Sequence, residues 1–127
     1  MTLRDGREVR MPLVDGVVVT RGFCSRDEIV SATIPDGATR IRNDAFFDCS
    51  SLVTITLPDG VTYIGERAFK HCSSLASVTI PEGVTAIGAQ AFFGCRSLAS
   101  VIIPEGVTTI GWGAFIRCSS LVSVRIP

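Results

Sequence analysis

The stretch CSSLASVTIPEGVTAIG, from Cys72 to Gly88, is followed from Cys95 to Gly111 by a near copy, CRSLASVIIPEGVTTIG, displaced by 23 residues. The displacement runs through the chain. Met11-Pro12, Ile34-Pro35, Leu57-Pro58, Ile80-Pro81, Ile103-Pro104 and Ile126-Pro127 fall on one grid of period 23. The same step relates Phe46, Phe69, Phe92 and Phe115; Cys49, Cys72, Cys95 and Cys118; and Leu52, Leu75, Leu98 and Leu121. An unslipped period of this length marks a solenoid, in which each unit can bury its apolar face only against its neighbours.

Local signals divide one unit into four pieces. Leu75, Val78 and Ile80 are separated by small or hydroxylated residues, which predicts a short strand that Pro81 ends by withdrawing a backbone donor. Pro81-Glu82-Gly83-Val84 reads as a turn, with proline presetting φ and Gly83 free to take a positive φ. Residues 84–88 form a second extended piece closed by Gly88. AQAFFGC, residues 89–95, carries helix formers over about two turns, which would put Ala91, Phe92 and Cys95 on one inward side.

Written as Leu-x-x-Val-x-Ile-Pro-x-Gly-Val-x-x-Ile-Gly-x-x-Ala-Phe-x-x-Cys-x-x-Leu, the unit closely resembles the BspA-type class of leucine-rich repeats, the 23-residue variety of bacterial and protist surface proteins. The likeness spans roughly residues 29 to 127 and is carried by Ala-Phe-x-x-Cys at Ala45 to Cys49, Ala68 to Cys72, Ala91 to Cys95 and Ala114 to Cys118. It implies an α/β solenoid: a right-handed coil with a parallel sheet of short strands on the concave face and short helices or irregular coil on the convex face. It also implies use in adhesion or scaffolding, at the cell surface or outside the cell if the chain is a piece of a longer protein of that class.

Residues 1–33 depart from the pattern and are expected to form an N-terminal capping segment with a degenerate repeat. Arg26 stands in the cysteine column, Ala32 replaces a larger aliphatic, and Asp5-Gly6 favours a tight type I′ hairpin between Leu3 and Val9. Residues 34–127 are then an array of four 23-residue units. Its C-terminal end is expected to be uncapped, with Leu121, Val124 and Ile126 open to end-to-end self-association.

Composition narrows the function class. A chain of 127 residues that is 46% hydrophobic can bury a core, which excludes disorder. Twelve basic and twelve acidic residues cancel, leaving no field to draw in nucleic acid or an anionic membrane. MTLRDGREVR is neither a signal peptide nor a membrane anchor, so no membrane insertion is expected of this chain and its compartment stays open.

The possible chemical sites reduce mostly to architecture. Four of the five cysteines form a column, and stacked units about 4.8 Å apart place them in a line, whereas zinc needs four sulfurs converging on one point. They read as small core residues, with Cys24 off the grid. His71 beside Cys72 occupies a variable column, shared with Asp48, Gly94 and Arg117, which argues for surface rather than catalysis. Glu82 and Glu105 recur in an exposed turn, and the Phe column is core packing. No catalytic residue, metal ligand or cofactor site is assigned, and an enzyme is the least favoured class.

The concave strand face remains. Alternation exposes Thr54 and Thr56, Ser77 and Thr79, Ser100 and Ile102, and Ser123 and Arg125, a small and mostly uncharged surface. Arg40, Tyr63 and Trp112 vary at its rim, and aromatics outside any repeat column suit a binding hot spot. The expected function is protein–protein recognition, with an unidentified protein as ligand. Structural self-assembly through the C-terminal end is one alternative. Carbohydrate or ordered-surface binding by the Ser and Thr rows is the other.

Overall fold

The computed structural model describes residues 2–6, 8, 13–14, 17–18 and 26–125. Twelve short strands follow one another: β1 (Thr2–Leu3), β2 (Leu13–Val14), β3 (Val17–Val18), β4 (Ile29–Thr33), β5 (Arg40–Ile41) and β6 (Thr54–Thr56), then β7 (Tyr63–Ile64), β8 (Val78–Thr79), β9 (Ala86–Ile87), β10 (Ser100–Ile102), β11 (Thr109–Ile110) and β12 (Ser123–Arg125). One 3-10 turn, Arg26–Glu28, precedes β4.

Each coil contributes one strand to each of two parallel ladders. The first ladder carries β1, β4 and β6, then β8, β10 and β12, its two three-stranded parts joined by a parallel bridge between Thr54 and Ser77. The second is six-stranded, in the order β11-β9-β7-β5-β3-β2. Every parallel pair is offset by one repeat: Ala32 with Ile55, Val78 with Val101, Val101 with Val124, Ile41 with Ile64, Ile64 with Ile87. The register of the fold is therefore the period of the sequence. At the N-terminal edges the direction reverses, with β1 antiparallel to β4 and β2 antiparallel to β3.

In-register stacking turns sequence columns into internal spines. Phe46, Phe69 and Phe92 are fully buried, and successive rings, ending at Phe115, lie near-parallel with centroids 5.2 to 5.5 Å apart. Burying one such ring contributes about 1.5–3 kcal/mol, plus a smaller aromatic pairing term. Leu52, Leu75 and Leu98 and then Ile41, Ile64 and Ile87 fill the same core beside them. Leu3 joins the core from β1, at 3% exposure.

Three sequence expectations need correction. The first concerns AQAFFGC and its equivalents, which form turns: no α-helix occurs among the described residues. Asp44, Phe46 and Asp48 donate their N–H groups to Glu66, Ala68 and Lys70 of the next coil, while Ala45 and Phe47 donate to residues three earlier in their own coil. Bonds between coils take the donors that an α-helix would use internally. Two residues per coil are left-handed, Asp44 and Asp48, Arg67 and His71, Gln90 and Gly94, Gly113 and Arg117, with φ between 55° and 74°. Ala91, Phe92 and Cys95 are buried as expected, but by this alternation and not by helical spacing.

The second correction is Gly83, which does not take a positive φ. It is required by proximity: a Cβ there would sit 3.0 Å from the Asp59 carbonyl oxygen of the preceding turn. The third is the hairpin at Asp5-Gly6. Gly6 alone of the two has a positive φ, 88°, and its N–H closes a turn on the Leu3 carbonyl at 2.9 Å. Thr2 then bridges Glu8 in antiparallel sense, so the connection is longer than a two-residue hairpin loop. Val9 and Cys24 lie outside the described residues.

Closest of all are the glycines that end the second strand of each coil. The N–H of Gly65, Gly88 and Gly111 donates to Ile41, Ile64 and Ile87 of the preceding coil, at 2.8 to 2.9 Å. A Cβ on Gly88 would lie 2.5 Å from the Glu66 nitrogen, and on Gly111 2.3 Å from the Ala89 nitrogen. Backbone, not a flexible side chain, occupies that space. Gly88→Ala should cost about 1–3 kcal/mol in urea unfolding. Gly60→Ala, whose Cβ would meet only the Ala38 carbonyl oxygen at 3.2 Å, should cost less, and equal losses would contradict the contact argument.

Candidate functional site

The outer face of the first ladder is built by strand alternation. Ile55, Val78 and Val101 point into the core, so the residues on either side of each face outward. Thr54, Thr56, Ser77, Thr79, Ser100 and Ile102 are all exposed, Ile102 at 55%. Ser123 and Arg125 stand on β12, paired in register with Ser100 and Ile102. Beside them runs a third exposed row, Val53, Ala76, Ala99 and Val122. Its backbone is tied from coil to coil, Val53 to Val30, Ala76 to Val53, Ala99 to Ala76 and Val122 to Ala99, at 2.8 to 3.3 Å. The surface is uncharged from β6 through Ile102 and its backbone is fixed.

Arg40, Tyr63 and Trp112 fall elsewhere. Tyr63 lies half-buried on β7 of the second ladder, with the Arg40 guanidinium 5.1 Å from its ring centroid. Trp112, 71% exposed, sits in the turn after β11. The hydroxyl rows lie on the first ladder, whereas Tyr63 lies on the second and Trp112 in the turn that follows it. A row not singled out in the sequence also stands on the second: Thr39, Thr62, Thr85 and Thr108, where each later hydroxyl donates to the threonine carbonyl one coil back at 3.2 to 3.3 Å. Its constant 23-residue spacing was the available signal.

The thiols are built into the core. Cys72, Cys95 and Cys118 donate from Sγ to the carbonyls of Phe46, Phe69 and Phe92, each at 3.1 Å. Cys49, Cys72, Cys95 and Cys118 form no disulfide among the described residues, and Cys49, Cys72 and Cys95 are fully buried. Burial, with the neighbouring Cys118, pushes the Cys95 thiol up to about 12, and burial drives Cys72 well above the usual range. His71 does not serve as their base. Its ring meets those of Phe47 and Phe93 edge-on, at centroid distances of 6.0 and 5.6 Å, while Cys72 is committed to Phe46. Among the described residues no three His, Cys, Asp or Glu side chains converge as a metal site would require.

A sign follows for pH. Cys95 keeps its proton in the fold up to about 12, whereas an unfolded thiol releases it near the ordinary 9.0, so the folded state holds more protons between those values. Stability is fully present below pH 9 and falls as pH rises towards 12, by up to about 1.4 kcal/mol per pH unit for each such thiol. Cys95→Ala should flatten that decline in urea titrations. Pulse alkylation at pH 8 with peptide mapping should leave Cys72 and Cys95 unmodified until the chain unfolds.

The architecture has known counterparts. The BspA type leucine rich repeat region matches residues 18–127, in six copies. The crystal structure of a T. pallidum leucine rich repeat protein superposes with a TM-score of 0.82 at 39% identity, over 87% of this chain and 52% of that one. A leucine-rich repeat protein from Bacteroides ovatus gives a TM-score of 0.68 at 31% identity, over 76% of this chain and 31% of that one. A leucine rich cell surface protein from Faecalibacterium prausnitzii gives 0.66 at 29% identity, over 76% and 31%. No curated protein matches. The chain spans about half the length of the T. pallidum protein. Two parallel ladders in 23-residue register, the Phe and Cys spines and this match over most of the sequence agree: the chain belongs to the BspA-type leucine-rich repeat family.

Proposed function

We propose that the chain is a non-enzymatic recognition module that docks a protein on the outer face of the first ladder. The observation that carries this reading is the exposed, uncharged surface of Thr54, Thr56, Ser77, Thr79, Ser100 and Ile102 on a backbone bonded from coil to coil. A preformed surface of this kind loses little conformational entropy on binding, and its hydroxyls both donate and accept. Ser123 and Arg125 extend it on β12, and Tyr63 on the second ladder and Trp112 in the turn after β11 supply aromatic anchors at a separate contact. The family is generally non-catalytic, and the buried thiols and ring-packed His71 fit that character.

Residues 1–33 are the cap in this reading, because antiparallel β1 and β2 cover the edges of β4 and β3. Residues 34–127 are the array. The F. prausnitzii relative is named as a cell surface protein, and the surface is where this chain would meet its ligand. No helix among the described residues is long and apolar enough to cross a membrane. Adhesion or scaffolding would follow from such a placement.

The test is capture from a panel of extracellular proteins on the immobilised chain, compared with T56E/T79E, which charges the first ladder, and T85E, which charges the second. A bound protein should be retained by wild type and by T85E and weakened at least about tenfold by T56E/T79E, the loss of one or more central contacts. Equal recovery from wild type and T56E/T79E would reject the face. Y63A/W112A measures the aromatic contact separately, and unchanged recovery would remove those two residues from the interface.

A further inference from the structure

One outward column keeps its charge, and the sign of that charge, from coil to coil. Asp36, Asp59, Glu82 and Glu105 each follow the proline that comes after a strand of the first ladder, and all four are exposed. The return turns differ in this respect, because Asp44 and Arg67 share one column there and Asp48 and Arg117 another. Arg67 is also spoken for, by Asp44 and Glu66. Among the described residues the four turn carboxylates have no ion-pair or hydrogen-bond partner.

These turns are stacked closely and in register. A Cβ on Gly83 would lie 3.0 Å from the Asp59 carbonyl oxygen, and one on Gly106 3.3 Å from that of Glu82. Like charges are thereby lined up one coil apart, as a ridge of a single sign. Thr56 precedes Asp59, and Thr79 precedes Glu82, by three residues. That separation is about 11 Å of chain at most, comparable with the screening length of about 10 Å at 0.1 M salt. The ridge therefore borders the outer face of the first ladder, whose exposed residues from Thr54 to Ile102 carry no charge to oppose its field. The second ladder does not offer the same combination, since Arg40 is exposed there against Tyr63, 5.1 Å from its ring centroid.

We propose that the protein docked on the first ladder presents a basic segment, with uncharged side chains over the hydroxyl rows and Lys or Arg along the edge that meets Asp59, Glu82 and Glu105. This inference rests on the recognition reading above and names the chemistry of its partner. Charge complementarity selects the partner: an acidic segment is repelled at every coil, and a basic one finds carboxylates that no group of the fold already occupies. The ridge lies at the rim, where each exposed ion pair contributes only about 0.2–1 kcal/mol. Its main effect is on the rate of encounter and on which partners approach.

The experiment selects a displayed library of random peptides, long enough to cross the array, on the immobilised whole chain and on two variants. D59N/E82Q/E105Q neutralises the ridge, and S77Q/S100Q crowds the face without altering its charge. The peptide most enriched on wild type is then followed by surface plasmon resonance at about 50 mM and about 300 mM salt. Wild type should enrich Lys and Arg over Asp and Glu. D59N/E82Q/E105Q should lose that bias and slow association about tenfold with dissociation little changed, an effect that high salt reproduces on wild type. S77Q/S100Q should speed dissociation. Peptides that S77Q/S100Q weakens but that show no basic bias, or keep it on D59N/E82Q/E105Q, would overturn this inference and leave the recognition face standing. A basic bias indifferent to S77Q/S100Q, or no peptide enriched on wild type, would overturn both. Should D59N/E82Q/E105Q lose the wild-type circular dichroism, E82Q/E105Q takes its place with the same expected loss of bias.

Discussion

The backbone hydrogen bonds that join each coil to the next at an offset of one repeat are the constraint on which the molecule depends. They form the two parallel ladders, they occupy alternate donors of the turn segment, and they tie the glycines of one coil to the isoleucines of the coil before. No coil could satisfy its own backbone without a neighbour. The side-chain spines follow from this register: once Val78 lies beside Val101, Phe69 must stack on Phe92 and Cys95 must reach the carbonyl of Phe69. No buried side-chain nitrogen or oxygen is left without a partner among the described residues.

Such a construction separates stability from function. Core columns are occupied by nearly invariant side chains because each must fit the equivalent residue above and below it. The outward positions carry no such obligation, so charge, aromatic rings and hydroxyls vary there from coil to coil. His71 shows the division well: it shares a column with Asp48, Gly94 and Arg117, adopts the same left-handed backbone as they do, and uses its side chain only on the surface. Variation from coil to coil therefore falls on the edges and faces of the stack.

The core was readable in the sequence because solenoid register and sequence period are one quantity. The grid of Phe, Leu, Ile and Cys columns named the buried residues, and strand alternation named the exposed Thr54, Thr56, Ser77 and Thr79. The turn segment was misread because Ala, Gln and Phe permit a helix and the competing bonds come from residues 22 positions away, as between Phe46 and Ala68. Local propensity carries no trace of such a partner. The two left-handed positions per coil were hidden for the same reason: only two of the eight residues there are glycine, and Asp44, Arg67 and Gln90 share no chemical feature. The placement of Tyr63 on the second ladder and of Trp112 in the turn after it, away from the hydroxyl rows, required knowing that each coil turns twice.

In-register stacking is tested most directly by nuclear Overhauser contacts in the intact chain. The structure predicts cross-peaks between equivalent residues one repeat apart, Val78 with Val101, Ile64 with Ile87 and the rings of Phe69 with Phe92, together with exchange-protected amides at Phe46, Phe69 and Phe92. Sequential helical contacts through residues 89–95, with no cross-peaks between residues one repeat apart, would contradict it.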